Sequence, residues 1–434
     1  MRSLLSLQEA AQYDVYISQD GQDRATEEEA RSWEAAHPTL VRFWQKARPT
    51  APAAAVPVWG HVAQHYKWAL DRLFVERGHS HVVLVEDDME LAVDFLRLFA
   101  KTAWLLDRDP TLLCVSSWND NSRTNLGTDP ALFFRTSYFP GLGWMLRRGT
   151  YLAVLQPGWP LYSHWDNWLR ANILGFDCVS PSLPRNRNFG NIGTSMNALS
   201  FTKEIAVVQF YDKKEPVEFG DLSYLLRANY TAYMQRLLAR ALRLDEPQLR
   251  PPDGPRGLVF LLLYSDSASF ARLASFFKIW AHPRSHFQYL QVIEFSGDIY
   301  LIADVRFCPL LPEYLRVRPS PQVVVQAARQ GEDCNAACAA KELICSNGDM
   351  PWLNTCQALR QHFPCERGCI LETGGDIPSY VSADLPTQGF CVTKMHNELI
   401  LCTGMHLGTT RLCACVPKPW EEPRQQQTVH IPIK

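Results

Sequence analysis

The 434-residue sequence contains no apolar run of about 18 residues, so it predicts no transmembrane helix. It also lacks an excess of basic residues, and a formal net charge of −2 gives no reason to expect nucleic acid or an anionic membrane as a partner. Residues 1–12 contain one basic residue and too short an apolar run for a signal peptide or a membrane anchor. The length is sufficient for two or three folded domains.

Cysteine is scarce before residue 330 and crowded after it. The first part contains only Cys114, Cys178 and Cys308. The ten others are Cys334, Cys338, Cys345, Cys356, Cys365, Cys369, Cys391, Cys402, Cys413 and Cys415. An even set at this density indicates about five disulfides and an oxidising compartment, whereas the absence of any C-x-x-C pair argues against zinc. We therefore expect a secretory-pathway protein whose targeting segment is missing from this version of the chain.

The strongest chemical signal lies at residues 81–90, HVVLVEDDME. Residues 82–86 are rich in valine, which predicts a strand buried on both faces. Glu86, Asp87 and Asp88 follow, and open α/β folds bind ligands at the carboxyl ends of such strands. Like charges this close favour a divalent cation with oxygen ligands. A solvated acidic turn is an equally good interpretation of these three residues alone.

Strands and helices alternate along the first half of the chain, which predicts an α/β fold with a mainly parallel sheet flanked by helices. The pattern indicates strands at residues 14–18, 82–86 and 112–116, and helices at residues 61–77 and 93–106. His65 lies on the apolar face of the first of these helices, where a core position is the more ordinary role. The glycines of residues 140–144 indicate a close approach of the backbone to a ligand or to another strand.

Asp166 lies in the block WDNW, between two tryptophans. An aspartate in apolar surroundings should have a raised proton affinity, which suits a general base. Capping of the helix that follows is the more ordinary role for such a residue. The Gly- and Asn-rich residues 186–197 are typical of a loop that closes over a substrate, or of a plain surface loop.

Changes of composition divide the chain into five parts. We expect a main α/β domain at residues 1–243, a Pro-rich linker at 244–257, a small α/β appendage at 258–330, a disulfide module at 331–417 and a tail at 418–434.

Seven blocks in a fixed order resemble the β-1,2-N-acetylglucosaminyltransferases. They are SQD at 18–20, AQHYKWAL at 63–70, VVLVEDD at 82–88, CVSSWNDN at 114–121, FPGLGWMLRR at 139–148, WDNW at 165–168 and NFGNIGTSMN at 188–197. DPALFFR at 129–135 and SMN at 195–197 are closer to the branch that acts on protein O-linked mannose. Residues 334–415 resemble the cysteine-rich C-terminal segment of N-acetylglucosaminyltransferase V.

This resemblance implies a GT-A fold and an inverting, Mn²⁺-dependent transfer of GlcNAc from UDP-GlcNAc to a mannose-terminated glycoprotein in the Golgi lumen. An O-mannosyl glycan is the expected acceptor. It also implies a membrane anchor, which this chain does not contain, and a first strand that should lie before the helix near Leu4. We expect that strand to be missing. One base and one metal site suit an inverting displacement, and no nucleophile for a retaining mechanism is visible.

By position, the resemblance implies a role for each candidate residue. Asp88 would bind the metal, Asp87 the ribose, Glu86 the GlcNAc hydroxyls, Asp20 and His65 the uracil, and Asp166 would be the base, with Trp165 beside the sugar and Ser195 in the loop over the donor. Cys114 and Cys178 match a disulfide of the family, which leaves Cys308 unpaired.

Three alternatives remain at this point. One is a non-catalytic member of the same fold that binds a glycan or a protein. Another is β-1,2 transfer to the core mannose of an N-glycan. A third, a metal-dependent sugar-nucleotide enzyme such as a pyrophosphorylase, fits the acidic residues but explains neither WDNW nor the cysteine-rich part.

Overall fold

A computed structural model describes residues 1–48, 56–123, 126, 129–162, 164–173, 175–188, 207–247, 256–394 and 400–418. These residues form a mixed α/β fold with several sheets and a disulfide-rich C-terminal region. They divide into two compact units. The first contains the described residues up to 318 together with residues 367–372, and the second contains residues 319–366, 373–394 and 400–418.

The longer helices of the first unit, such as Val58–Asp71, Phe95–Arg108 and Arg227–Arg240, bury apolar residues on one face. In chain order, the helices are α1 Arg2–Leu5, α2 Arg24–Ala36, α3 Val58–Asp71, α4 Phe95–Arg108, α5 Arg148–Thr150, α6 Trp165–Asn172, α7 Arg227–Arg240 and α8 Ser267–Phe277. Short 3₁₀ or π turns lie at Ala10–Gln12, Arg72–Glu76, Tyr151–Leu155, Gln156–Gly158, Ser223–Leu225 and Glu313–Leu315. In α4, Leu98, Phe99 and Leu105 are buried at helical spacing, as the sequence pattern predicts.

The strands of the first unit form four sheets. In chain order they are β1 Val15–Asp20, β2 Val41–Lys46, β3 His81–Leu84, β4 Met89–Leu91, β5 Leu112–Ser116, β6 Phe133–Thr136, β7 Trp144–Arg147, β8 Asp177–Pro181, β9 Asn186–Asn188, β10 Leu242–Arg243, β11 Val259–Tyr264, β12 His286–Phe287, β13 Leu290–Phe295 and β14 Asp298–Asp304. β1 pairs with β2 in parallel, and β4 pairs with β9 antiparallel. β17, Cys369–Leu371, also belongs to this unit.

The sheet that carries the acidic residues has the strand order β3-β7-β5-β8-β6. Only β5 and β8 are parallel neighbours, and the other three pairs are antiparallel. The prediction of a mainly parallel sheet is therefore wrong for this sheet. The physical reason is β7, which lies antiparallel between β3 and β5, because alternation along the chain does not determine which strands become neighbours.

The turn before β7 brings its backbone against β5. Gly141, Leu142 and Gly143 have φ angles of 71°, 44° and 74°, in the left-handed region that glycine adopts at little cost. A Cβ at Gly143 would lie 2.5 Å from Ser117 Oγ, so only glycine fits there. The close approach to another strand that the sequence indicates is confirmed at this position.

A second five-stranded sheet has the order β10-β11-β14-β13-β12. Its strand pair β11–β14 is parallel, and β13 is antiparallel to β14. Both sheets contribute to one hydrophobic core, which contains Phe99 of α4, Val115 of β5, Tyr230 of α7, Leu261 of β11 and Leu301 of β14.

The second unit is held together by cysteines. Its strands are β15 Val324–Ala327, β16 Leu343–Cys345, β18 Ser379–Val381, β19 Cys391–Thr393 and β20 Thr409–Pro417, with helices α9 Cys334–Ala339 and α10 Cys356–Arg360 and a 3₁₀ turn at Met350–Leu353. The disulfides include Cys334–Cys413, Cys338–Cys415, Cys345–Cys402 and Cys365–Cys391. All ten cysteines after residue 330 are disulfide-bonded, as the sequence predicts.

In the part of the chain that the structure describes, no helix is both long enough and apolar enough to cross a membrane.

Candidate active site

The acidic residues lie in the loop between β3 and β4. β3 ends at Leu84, and it is one of the two edge strands of its sheet. Val85 is 39% exposed and only Val82 of β3 is fully buried, so the expected strand with two buried faces is wrong. Because an edge strand has protein on fewer sides, the carboxylates that follow it are open to a ligand.

Glu86 is held by an aromatic pair. Tyr66 Oη of α3 donates a hydrogen bond of 2.7 Å to Glu86 Oε1. The ring of Tyr66 also stacks on Trp165 of α6, with 4.2 Å between ring centroids. Trp165 lies against Trp144 and Trp159 as well, at 5.9 and 6.0 Å. The stacked aromatic rings fix Tyr66, and the hydroxyl of Tyr66 in turn orients the carboxylate of Glu86.

Asp166 lies in the first turn of α6 and forms an ion pair along its own helix. Arg170 Nη1 lies 2.6 Å from Asp166 Oδ2, and the Asp166 side chain is 38% exposed. Burial acts to raise the pKa of Asp166, but the charge and hydrogen bond of Arg170 outweigh it and hold the pKa below its ordinary value. The expected raised proton affinity is therefore wrong, because the neighbouring tryptophans were considered without Arg170.

The carboxylates of the loop and of α6 are electrostatically coupled. Burial raises the pKa of Glu86 to about 7, and the hydrogen bond from Tyr66 opposes this rise. The charges of Asp88, Asp166 and Asp87 add to it. Glu86 nevertheless keeps accessible surface, so a ligand can reach it. Residues about 80 positions apart in the chain thus form one acidic site.

Asp88 has one satisfied and one unsatisfied oxygen. Its Oδ2 accepts a hydrogen bond of 2.6 Å from Asn188 Nδ2 of β9. Its Oδ1 is buried and has no hydrogen-bond partner among the described residues. Burial raises the pKa of Asp88, and the charge of Asp87 raises it further. This buried oxygen has no hydrogen-bond donor among the described residues and lies near other negative charges. Such an oxygen is suited to bind a divalent cation.

Within the described ranges, no group of three or more His, Cys, Asp or Glu side chains is arranged to hold a metal ion. A cation that is shared with phosphates does not require such a group, because ions of this type are often held by one or two carboxylates and by phosphate oxygens. Asp88 therefore fits the role of a single protein ligand.

A second cluster lies at the end of β1. Asp20 Oδ2 accepts a hydrogen bond of 2.7 Å from Arg48, and Lys46 Nζ lies 3.4 Å from Asp20 Oδ1. Burial acts to raise the pKa of Asp20, but these two cations and His65 lower it. His65 Nε2 is 2.7 Å from Ser18 Oγ. Burial lowers the pKa of His65, and the charge of Asp20 opposes this shift.

The two clusters share helix α3, since His65 belongs to one and the next residue, Tyr66, to the other. The structure thus places Asp20 and His65 together, and it separately places Glu86, Asp88, Trp165 and Asp166 together. Asp87 is exposed in the same loop. Ser195 lies outside the described residues.

Three contacts of the site were not expected from the sequence. Arg170 had a visible signal, because it lies four residues after Asp166 on a helix and such pairs meet. Tyr66 fitted the apolar face of α3 and gave no sign of its hydrogen bond to Glu86. Asn188 meets Asp88 only because β9 pairs with β4, which no local pattern predicts.

The pair Cys114 and Cys178, which the family resemblance implies, is a disulfide. The two residues are direct partners in β5 and β8, with 4.8 Å between their Cα atoms. Cys308 is free and buried. The crosslink fixes the only parallel pair of the described sheet, whose β5 contacts β7 and thereby supports β3 and the acidic loop.

Chemically, the site offers two carboxylates. Asp166 is kept ionised by Arg170, and Asp88 has an oxygen without a hydrogen-bond partner among the described residues. The first can accept a proton from a bound hydroxyl, and the second can bind a metal ion. The basic residues beside Asp20 supply positive charge near the same helix. These parts suit the transfer of a group from an activated, negatively charged donor to a hydroxyl.

Comparison with known proteins gives the family. The chain is 35% identical over 293 residues to the "Alpha-1,3-mannosyl-glycoprotein 2-beta-N-acetylglucosaminyltransferase" of Arabidopsis thaliana, and the aligned part covers 64% of this chain and 63% of that protein. The chain thus spans less than two thirds of that relative. The model of the GNT-I family matches residues 1–310, which is more than half of the 434 residues. The resemblance expected from the seven sequence blocks is confirmed, and the chain belongs to the GNT-I family.

Proposed function

We propose that the chain is an inverting glycosyltransferase of the GT-A type. It transfers GlcNAc from UDP-GlcNAc in β-1,2 linkage to a terminal mannose of a glycoprotein. Membership of the GNT-I family and the name of the Arabidopsis relative support this reaction.

One observation carries the proposal: Asp166 meets the acidic loop from a different part of the chain. Trp165, the neighbour of Asp166, stacks on Tyr66, which donates a hydrogen bond to Glu86, so the start of α6 and the acidic loop meet at one site. Arg170 keeps Asp166 ionised, whereas Asp88 keeps a buried oxygen without a partner among the described residues. A base and a separate metal ligand are the two parts that an inverting displacement requires.

The transfer is a single displacement. The 2-hydroxyl oxygen of the acceptor mannose forms a bond to the anomeric carbon of GlcNAc on the face opposite the diphosphate. The bond between that carbon and the diphosphate oxygen breaks, and its electron pair leaves with UDP. The hydroxyl proton passes to the Asp166 carboxylate. No covalent enzyme intermediate is needed, and the configuration at the anomeric carbon is inverted.

Asp88 is the residue that would hold Mn²⁺, with Asn188 fixing its other oxygen. When bound, the ion would neutralise charge that develops on the departing diphosphate. The side chain of Asn188 contributes by keeping the Asp88 carboxylate in one orientation, since its amide donates to Oδ2 and leaves Oδ1 for the ion.

The other residues that would contact the donor are those that the family resemblance implies. Glu86 would accept hydrogen bonds from the GlcNAc hydroxyls, and Asp87 from the ribose. Trp165 would lie beside the sugar, and Ser195 would belong to the loop over the donor. Asp20 and His65 would bind the uracil, near the positive charges that Lys46 and Arg48 already place there.

The acceptor is proposed as an O-mannosyl glycan, because two sequence blocks are closest to that branch of the family. The name of the Arabidopsis relative instead favours an α-1,3-linked mannose of a glycoprotein, which is the second candidate. The disulfides of the second unit support an oxidising compartment, and we propose the Golgi lumen.

The experiment is a calorimetric titration of the purified chain with UDP-GlcNAc, with and without Mn²⁺. Wild type should bind only with Mn²⁺, and Asp88→Ala should not bind under either condition. Asp166→Asn should bind the donor normally but transfer no GlcNAc to a mannoside. Asp245→Asn, a change at an exposed aspartate elsewhere, should behave as wild type.

The outcomes separate the alternatives. Donor binding without transfer to O-mannosyl peptide or to α-1,3-mannosyl glycan would favour a non-catalytic, glycan-binding member. No donor binding in any condition would contradict the proposal. Transfer to one acceptor and not to the other identifies the substrate, and loss of donor binding in Asp166→Asn would count against Asp166 as the base.

A further inference from the structure

The environment of Arg170 is more elaborate than a helix-surface ion pair requires. Its guanidinium is bonded to Asp166 Oδ2 at 2.6 Å, to Asn167 Oδ1 at 3.1 Å and, through Nε, to the backbone oxygen of Phe139 at 3.3 Å. The guanidinium carbon also lies 4.9 Å from the ring centroid of Tyr138. The Arg170 side chain is only 13% exposed.

The ring of Tyr138, which contacts Arg170, also contacts a second arginine. Arg284 lies 5.6 Å from the same Tyr138 ring and is paired with Asp120 at 2.9 Å. The negative charges of Asp166 and Asp120 act against the effect of burial and help to raise the pKa of Arg170, so it stays charged. The guanidinium is therefore a permanent cation in one orientation.

We propose that Arg170 is the positioning residue of the base, holding the Asp166 carboxylate in one orientation and in its ionised form while the carboxylate faces the acceptor hydroxyl. This inference rests on the proposed function, since it assigns a role in the same transfer. Arg170 acts through Asp166 and does not contact the reacting atoms.

Asp166 needs such a partner because its burial opposes ionisation. Glu86, in the loop after β3, and Tyr66 of α3, which donates a hydrogen bond to Glu86, both interact electrostatically with Asp166. His164 precedes α6 and acts in the same direction as Arg170, but the effect of Arg170 is larger. Without Arg170, burial would favour the protonated form of Asp166, which cannot accept the proton of the acceptor.

The test compares Arg170→Met, Arg170→Lys and wild type over a range of pH. In Arg170→Met, the acid limb of the kcat profile should move up by about one to three pH units, because an adjacent opposite charge is lost. At neutral pH, kcat should fall about 10²-fold, because the carboxylate is no longer aligned. Arg170→Lys keeps the charge and should leave the acid limb near that of wild type. The KM for UDP-GlcNAc should remain unchanged in both variants.

Arg31→Met is the matched control. Arg31 pairs with Glu27 at 2.9 Å with the same spacing of four residues, on α2 and away from Asp166. It should leave the kcat profile unchanged. Equal acid limbs in Arg170→Met and Arg31→Met would overturn the proposal and would leave Arg170 as a structural anchor of α6.

A second measurement does not depend on turnover or on the stability of Arg170→Met. In ¹³C-labelled aspartate spectra of wild type, with Asp166→Asn for assignment, the Asp166 carboxyl should titrate below the ordinary range and should shift in Arg170→Lys by less than in Arg170→Met. An ordinary or raised titration in wild type would overturn the proposal. A low titration in a chain that transfers no GlcNAc would instead contradict the proposed function and, with it, any catalytic purpose of Arg170.

Discussion

The hydroxyl of Tyr66 donates a 2.7 Å hydrogen bond to Glu86 Oε1, and the ring of Tyr66 stacks on Trp165. One tyrosine therefore links the acidic loop after β3 to helix α6. Its ring provides packing and its hydroxyl orients a carboxylate, and a single-atom change separates these two contributions.

Tyr66→Phe should raise the KM for UDP-GlcNAc by up to about tenfold, because it removes the hydrogen bond that orients Glu86 and a typical hydrogen bond contributes about 0.5–1.5 kcal/mol. The phenylalanine ring keeps the stack on Trp165, so the unfolding temperature should change little. Steady-state kinetics with varied donor measures the effect. Tyr162→Phe is the control, since Tyr162 is 52% exposed. An unchanged KM in Tyr66→Phe would mean that Glu86 does not contact the donor.

Asn188→Ala should raise the Mn²⁺ concentration required for half-maximal donor binding by about 10–100-fold, as is typical when a residue that orients a metal ligand is removed. The reason is the 2.6 Å hydrogen bond from Asn188 to Asp88 Oδ2, which leaves the other oxygen for the ion. Donor binding at saturating Mn²⁺ should recover. Failure to recover at any Mn²⁺ concentration would indicate that Asn188 contacts the donor itself.

Local sequence patterns predicted the parts of the fold that depend on near neighbours. β5 lies at Leu112–Ser116, where an apolar run predicts a strand, and α4 covers most of the predicted helix at residues 93–106. The crowded cysteines correctly indicated disulfides. These features depend on periodicity and composition, which a single sequence displays directly.

The pairing of strands was not predictable in the same way. β7 lies between β3 and β5, although it follows both in the chain, and this insertion makes the sheet mixed. Strand order depends on how whole elements pack, which no short pattern contains. The same limitation explains why the contact of Asn188 with Asp88, 100 residues apart, was not expected.

The charge state of Asp166 shows a different limit. The two tryptophans of WDNW suggested an apolar setting and a raised pKa, but Arg170 reverses the direction. The spacing of four residues was visible in the sequence, so this error came from considering adjacent residues and not the neighbours on the helix face.

Cys308 should be the only cysteine that can be alkylated without reduction. It is buried and free, the other twelve of the 13 cysteines are disulfide-bonded, and burial raises the pKa of its thiol to about 11. Native protein at neutral pH should therefore take up no maleimide. Unfolded protein should take up one label without reductant and 13 after reduction, as read by intact mass. A second label without reductant would show that one disulfide is open.

Arg135→Met should destabilise the first unit by about 3–5 kcal/mol, because removing one partner leaves buried charge uncompensated. Arg135 is fully buried and pairs with Asp109 at 2.6 Å and with Asp177 at 2.7 Å. Chemical denaturation at neutral pH measures the change in the free energy of unfolding. Arg24→Met removes an exposed pair on α2 and should have no measurable effect.

The loss of unfolding free energy in Arg135→Met should also depend on pH. Burial acts to raise the pKa of Asp109, but Thr111 and Arg135 hold it below the ordinary value. A depressed pKa in the folded state stabilises wild type above the ordinary aspartate range of about 3.9, and this stabilisation is lost as the pH falls through the folded-state value. In Arg135→Met the pKa of Asp109 rises, so the variant loses less free energy of unfolding than wild type when the pH falls. The difference between the two proteins should therefore shrink below about pH 4. A deficit of the same size at neutral and acidic pH would show that Arg135 stabilises the fold by packing and not by its charge.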